Sequence, residues 1–112
     1  MANSRRGEVA ATIAGRRYTL CLTLGALAEL EGAFAVDDLS ALADRFASGR
    51  LSAGDVVKLL GAGLRGGGHP FSDGDVAALP ASSLEDGMNA VAALLAATFG
   101  NPPPNPREPQ DA

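Results

Sequence analysis

Residues 7–31, GEVAATIAGRRYTLCLTLGALAELE, decide the fold. Two short segments place apolar residues at every second position: Val9, Ala11 and Ile13, then Tyr18, Leu20, Leu22 and Leu24. A period of two is typical of a strand with one buried face. Gly15 and Arg16 fall between the segments, and a two-residue turn with glycine first is typical of a type II′ hairpin. The stretch therefore predicts an N-terminal antiparallel β-hairpin.

The apolar period then changes to that of an α-helix. Five helices are predicted, over residues 24–34, 38–49, 53–64, 73–79 and 83–100. Their apolar faces are Leu27, Leu30 and Phe34 in the first, Leu39, Leu42 and Phe46 in the second, and Leu84, Met88, Val91, Leu95 and Phe99 in the fifth, with Leu94 beside this last stripe. The predicted fold class is α+β, with the hairpin packed on a bundle of about four to five short helices.

Capping residues mark where the helices begin. Asp37 or Asp38 is expected to cap the second helix, which Gly49 ends, and Ser82 or Ser83 to cap the fifth. Residues 51–56, LSAGDV, and 71–76, FSDGDV, are nearly the same hexapeptide. Each pairs a serine with an aspartate three residues on, between two apolar residues, which predicts a capping box with a hydrophobic staple.

Composition limits the class of protein. The chain has 112 residues and a net charge of −4, which argues against a dedicated nucleic-acid-binding protein. It contains no apolar run of the length that a membrane helix or a signal peptide needs, so we expect a cytoplasmic protein. Residues 7–100 are predicted to form one domain, and the proline-rich residues 101–112 a disordered tail.

Patterns that resemble chemical sites have simpler interpretations. Residues 61–66, GAGLRG, match a dinucleotide-binding pattern but follow a helix, so they predict a frayed helix end and a flexible glycine hinge at residues 66–68. Asp73 and Asp75 lie in a first helical turn, where carboxylates stabilise the helix N-terminus. Cys21 is the only cysteine, and His69, the only histidine, is expected in a solvent-facing loop or a partner contact. We predict no catalytic, cofactor or metal site, and no enzyme.

The sequence points instead to association with another protein. Aromatic residues make up only 4% of the chain, so the core is small and a partner that covers part of the surface would add stability. The hairpin, the glycine hinge and the fifth helix are the expected contact regions. The candidate partner-binding residues are Tyr18, Leu20, Leu22, Leu94, Leu95, Phe99, His69 and Phe71.

Three blocks of the chain resemble one phage-derived family. They are RGEVAATIAGRRYTLCLTLGALAELE from residue 6, LLGAGLRGGGH from residue 59 and VAALLAATFG from residue 91. The chain is similar over residues 6–100 to proteins of gene transfer agents and of siphophage-type tails that are described as tail assembly chaperones or tail tube proteins. The family brings no catalytic residues.

The resemblance implies a role in building a phage-like tail. As a tail assembly chaperone, the protein would bind the tape measure protein and then give way to the major tail subunit. A structural tail component retained in the particle is the second hypothesis, and a small ligand-binding or regulatory domain is a third. A homo-oligomer is also compatible with the sequence.

Overall fold

A computed structural model describes residues 7–47 and 50–100 of the protein. In chain order the elements are β1 (Glu8–Ile13), β2 (Arg16–Cys21), α1 (Leu24–Ala33), α2 (Leu39–Ala47), α3 (Ala53–Gly66), α4 (Asp73–Ala77) and α5 (Leu84–Phe99), with a 3₁₀ turn at Ala81–Ser83 before α5. The predicted α+β fold, a hairpin on about five helices, is confirmed. The predicted helix end at Gly49 and the tail over residues 101–112 lie outside the described residues.

The two strands pair antiparallel, from Glu8 opposite Cys21 to Ile13 opposite Arg16. One face of the hairpin lies on the helices, and Ile13 and Leu20 on that face are fully buried. The opposite face is exposed to solvent at Ala10 and Thr12 of β1. A hairpin with one buried and one exposed face is what the period of two in the sequence predicts.

The hairpin turn differs from the prediction. Ala14 and Gly15 form the two-residue loop, because Arg16 already pairs with Ile13. Both loop residues have positive φ, 53° and 83°. Positive φ at both positions is the mark of a type I′ turn, whose twist matches that of the flanking strands. The type II′ turn over Gly15 and Arg16 is therefore wrong, and a non-glycine residue occupies a left-handed conformation.

The second strand also ends earlier than its apolar pattern suggests. Leu24 is 83% exposed and is the first residue of α1, not the last of a buried strand face. The hydroxyl of Thr23 accepts a hydrogen bond from the Ala26 N–H at 3.0 Å and caps the helix. Leu27 and Leu30 are buried, as their helical spacing predicts.

Helix α3 is the centre of the fold, because it contacts β2, α1, α4 and α5. Leu59, Leu60 and Leu64 are almost fully buried on it. It runs to Gly66, two residues beyond its predicted end. The predicted capping box starts it: the Ser52 hydroxyl accepts from the Asp55 N–H at 3.1 Å, and the Asp55 carboxylate accepts from the Ser52 N–H at 3.0 Å.

The glycines at the end of α3 allow it to lie against β2. A side chain at Gly66 would overlap the carbonyl oxygen of Cys21, and one at Gly67 that of Thr19. Gly63 is covered by the side chain of Leu94, 2.5 Å from where a Cβ would stand. The predicted frayed helix end and flexible hinge are therefore wrong at these positions, where glycine permits close packing of helix on strand.

The remaining helix starts follow the sequence with one exception. Asp38 begins α2 by accepting a hydrogen bond from the Ala41 N–H at 2.8 Å. The second capping box begins α4, through Ser72 and Asp75. Helix α5 has no side-chain cap at Ser83, since the 3₁₀ turn leads directly into it. The prediction that Ser82 or Ser83 caps α5 is wrong.

Helix α5 buries only part of its predicted apolar stripe: Val91 and Leu94 are fully buried, and Leu95 and Phe99 pack against the core. Its buried residues are Gly87, Ala90, Val91 and Leu94. Leu84 and Met88 are 46% and 45% exposed, although their spacing places them on the predicted apolar stripe. Leu39 in α2 is likewise 44% exposed. The core also accepts the small residues Gly87 and Ala90, so α5 lies close to α3 at its N-terminal half, where Leu84 and Met88 are turned outward.

Substituting Gly66 tests the close packing of α3 on β2. We expect Gly66→Ala to lower the free energy of unfolding by about 1–3 kcal/mol, because the new methyl group forces the helix away from the strand. Gly32→Ala in α1 is the matched control, since nothing lies within 4 Å of its Cβ position. It should raise the free energy of unfolding by about 0.5–1 kcal/mol. Urea unfolding followed by circular dichroism measures both, and equal effects of the two changes would contradict the packing role.

Substituting Ala14 tests the turn. Ala14→Asn creates the Asn-Gly pair that type I′ turns favour, and it should raise the free energy of unfolding by about 0.5–1 kcal/mol. Ala14→Val should lower it by about 1 kcal/mol or more, because a β-branched residue is disfavoured at positive φ. A higher melting temperature for the valine variant would rule out this turn.

Candidate interaction surface

The residues predicted to bind a partner divide into buried and partly exposed groups. Leu20, Leu22 and Leu94 are 0%, 8% and 0% exposed and belong to the hydrophobic core. Their side chains hold the hairpin on the helices and are not offered on the surface of the domain. Leu95 and Phe99, near the end of α5, are partly buried and pack against the same core. Of the α5 candidates, only this pair has exposed area.

The other three candidates form one aromatic cluster beside β2. The Tyr18 ring meets His69 edge-on, with ring centroids 5.1 Å apart, and Phe71 at 5.6 Å. The Nε2 atom of His69 accepts a hydrogen bond from the Thr19 N–H at 3.3 Å. The Thr19 N–H points away from β1, toward the open edge of the sheet. His69 therefore accepts a hydrogen bond from a backbone donor that the sheet leaves unpaired. His69 is therefore a packed residue of the fold, and the prediction of a solvent-facing loop residue is wrong.

Arg65 joins three segments at the far end of α3. Its guanidinium donates to the Phe71 carbonyl at 2.9 Å, to Asp73 of α4 at 3.1 Å and to Glu29 of α1 at 2.6 Å. Burial by itself lowers the pKa of Arg65, but the carboxylates of Asp73 and Glu29 outweigh it and raise that pKa, so Arg65 remains charged. Gly61 leaves the space that Asp73 occupies.

A second ion pair stabilises the start of α3. Asp55 is 7% exposed and accepts from Arg45 of α2 at 3.0 Å. Burial raises the pKa of Asp55, but the hydrogen bonds from Ser52 and the charge of Arg45 prevail and leave the pKa below its ordinary value of 3.8. The carboxylates singled out in the sequence thus cap helices and pair with arginines.

An open apolar groove lies between α3, α4 and the start of α5. It has a volume of about 290 Å³. Its lining is apolar apart from Ser83 and consists of Ala53, Val56, Val57, Leu60, Val76, Ala77, Leu79, Pro80, Ala81, Ser83, Leu84 and Gly87. The exposed side chain of Leu84 forms part of its wall, and Met88 lies one turn further along α5. The fifth helix was an expected contact region, but Leu84 and Met88 were not among its candidate partner-binding residues. Gly87 and Ala90, small residues that allow a closer contact with the core, were the available signal that this part of the stripe stays exposed.

The surface offers little to a metal or a cofactor. Within residues 7–47 and 50–100, no group of three or more His, Cys, Asp or Glu side chains is placed to hold a metal ion. The GAGLRG pattern lies inside α3, so its N–H groups are not presented to a phosphate. Among the helices that the structure describes, none is long and apolar enough to cross a membrane. The arrangement is that of a small α+β domain with an apolar groove suited to contact with another protein.

Comparison with known sequences identifies the family to which this small α+β domain belongs. The family described as "phage tail tube protein, GTA-gp10" matches residues 6–101, which is nearly the whole of the fold. The chain belongs to this family of gene transfer agent tail proteins, as its resemblance in the N-terminal block indicates. Searches of curated proteins and of solved structures give no match.

The two capping boxes provide a matched test of the Arg45–Asp55 ion pair. We expect Asp55→Ala to lower the free energy of unfolding by about 2–3 kcal/mol, because it removes a cap and leaves Arg45 without this carboxylate. Asp75→Ala removes an exposed cap alone and should cost about 0.5–1 kcal/mol.

The same pair predicts a pH dependence. A carboxyl whose pKa is lowered by folding stabilises the fold above its unfolded pKa and loses this contribution as the pH falls. The difference in stability between the wild type and Asp55→Ala should therefore narrow below about pH 4. Urea unfolding at pH 7 and pH 3 measures it, and a difference that is constant with pH would contradict the ion pair.

Proposed function

We propose that the protein is a non-enzymatic tail assembly chaperone that binds the tape measure protein and helps to recruit the tail tube subunits in the cytoplasm of the host cell. Family membership supports a tail role. The open groove beside Leu84 and Met88 supports a binding role, and it is the observation that carries the proposal. Apolar surface of this kind on a small domain is typical of a protein–protein contact.

A structural component of the tail is the alternative, and the description of the family as tail tube proteins favours it. A tube wall built from sheets needs strands that continue from one subunit to the next. In residues 7–47 and 50–100 the only sheet has two strands of six residues each. One edge of that sheet, at Thr19, is already occupied by His69. These features support a chaperone more than a tube subunit.

The geometry gives less support to the third hypothesis, a ligand-binding or regulatory domain. Small-molecule sites combine apolar walls with a few convergent polar groups. Ser83 is the one polar residue in the lining of the groove. The glycines at residues 66 and 67, which would have supplied a flexible loop, are packed on β2. A non-enzymatic role is consistent with carboxylates that serve as caps and ion-pair partners.

Co-expression tests the chaperone role. The full-length chain should raise the soluble fraction of the tape measure protein from the same gene cluster and co-elute with it on gel filtration. The major tail subunit expressed with the tape measure protein in the absence of this chain is the control. Unchanged solubility together with no complex would reject the proposal.

Purified particles separate the two tail hypotheses. A chaperone should be absent from mature particles, or far below the copy number of the tube subunit, when the particles are quantified by mass spectrometry. Stoichiometric amounts would establish a structural component instead.

A further inference from the structure

We infer that the groove between α3, α4 and α5 binds an amphipathic helix of a partner protein that carries lysine or arginine beside its apolar face. The inference deepens the proposed function, on which it rests, by naming the binding site and the chemistry of the segment that occupies it. The surface consists of the groove and the adjoining side chains Leu84 and Met88, and we call it the α5 groove.

The apolar character of the α5 groove selects the kind of ligand. Leu79, Pro80 and Leu84 form part of its wall and are joined by Val56 and Val57 of α3. At about 290 Å³ it lies at the lower limit of cavities that enclose a small molecule, about 300–1,000 Å³. A groove that is open to solvent and almost without polar groups matches a few aliphatic side chains projecting from a larger partner.

The spacing of the exposed residues favours a helix as that partner. Leu84 and Met88 are exposed and four residues apart on α5; further along, Leu95 and Phe99 repeat this spacing but are partly buried against the core. Residues four apart lie above one another on a helix, so these side chains follow the axis of α5 on one flank. Helix α5 has 16 residues and is about 24 Å long at 1.5 Å per residue. An open apolar groove with an exposed pair of apolar residues one helical turn apart is typical of helix-in-groove recognition.

The charge of the surrounding chain decides which helix fits. Residues 66–100 contain the carboxylates Asp73, Asp75, Glu85 and Asp86 but no lysine or arginine. The nearest basic side chain along the chain, Arg65, is held by Asp73 and Glu29. Lys58 of α3 lies with its ammonium 5.5 Å from the centre of the Phe34 ring. Of the four carboxylates, Asp75 and Glu85 are exposed next to the groove-lining residues Val76 and Leu84, whereas Asp73 pairs with Arg65 and Asp86 accepts from the Ala14 N–H. Exposed carboxylates beside a groove attract a basic partner and repel an acidic one.

The same charges argue against a second copy of this chain as the occupant. Two copies meeting groove to groove would bring together the acidic segments 73–86 of both. Like charges that face each other across an interface oppose its formation. Among the residues that the structure describes, the exposed adjacent pair Arg16 and Arg17 lies at the start of strand β2 rather than on a helix. A basic helix from a different protein satisfies both the apolar and the electrostatic requirement.

Titration of the full-length, ¹⁵N-labelled chain with synthetic helices tests the inference. The probe is a three-heptad peptide with leucine at the a and d positions and lysine at the flanking positions. Its counterpart with glutamate in place of lysine is the control. We expect the lysine peptide to shift the amide resonances of Val57, Leu79, Leu84 and Met88, with a Kd at least about tenfold lower than that of the glutamate peptide. Equal affinities, or shifts that avoid the groove, would overturn the inference.

Surface variants locate the site independently of the peptide shifts. Leu84→Ser and Met88→Ser should each weaken binding of the lysine peptide by about tenfold. Leu24→Ser is the matched control, because Leu24 is an exposed leucine on α1 and should not affect binding. Glu85→Lys should also weaken binding, whereas Asp44→Lys, which reverses an acidic charge on α2, should not. Variants that bind as tightly as the wild type while remaining folded would place the site elsewhere.

The tape measure protein separates failure of the inference from failure of the proposed function. If it binds the wild type and Leu84→Ser equally, the groove is not the site although the chaperone role stands. If the groove binds the lysine peptide but the chain does not bind the tape measure protein, the site stands and the chaperone role fails. A dimer of the free chain that Met88→Ser dissociates, measured by light scattering, would assign the groove to a second copy and overturn the inference.

Discussion

The close approach of α3 to β2 is the constraint on which the rest of the structure depends. Gly66 and Gly67 bring the helix end against the Cys21 and Thr19 carbonyls, where any side chain would prevent contact. Leu20 then lies over Gly63, which in turn is covered by Leu94 of α5. One helix thereby joins the hairpin to the remaining helices. In a domain with few aromatic residues, such backbone proximity supplies dispersion contacts that larger side chains provide elsewhere.

Polar contacts then fix the segments around that centre. Arg65 ties α1 and α4 to the end of α3, while Arg45 ties α2 to its beginning. His69 completes the arrangement by accepting the outward N–H of Thr19. The segment from α4 to α5 contains no lysine or arginine, and one of its carboxylates, Asp73, is paired with Arg65 of α3. Asp75 and Glu85 remain exposed beside the α5 groove.

Because the chain belongs to the gene transfer agent tail family, the exposed apolar surface of α5 is a candidate contact with other tail proteins. Helix α5 turns its small residues, Gly87 and Ala90, toward the core and leaves Leu84 and Met88 exposed. The helix is therefore buried on one face, while the side chains beside that face are exposed and can contact another protein. In the proposed chaperone role the protein must bind and release its partners, and an open apolar groove with exposed carboxylates beside it permits reversible contact.

Local patterns in the sequence determined the hairpin, the first helix and both capping boxes, because each depends on residues only a few positions apart. The strand alternation over residues 7–22 and the serine–aspartate pairs needed no information from the rest of the chain. The sequence could not show that Gly66 and Gly67 are packing positions rather than a hinge, because the clashing carbonyls lie more than 40 residues away. Nor could it orient α5, since periodicity identifies an apolar stripe but not which side of it the core accepts. The candidate site shows the same limit. Leu20, Leu22 and Leu94 were predicted to contact a partner but are buried in the core. The groove beside Leu84 could not be predicted, because it forms only where α3, α4 and α5 meet in the folded chain.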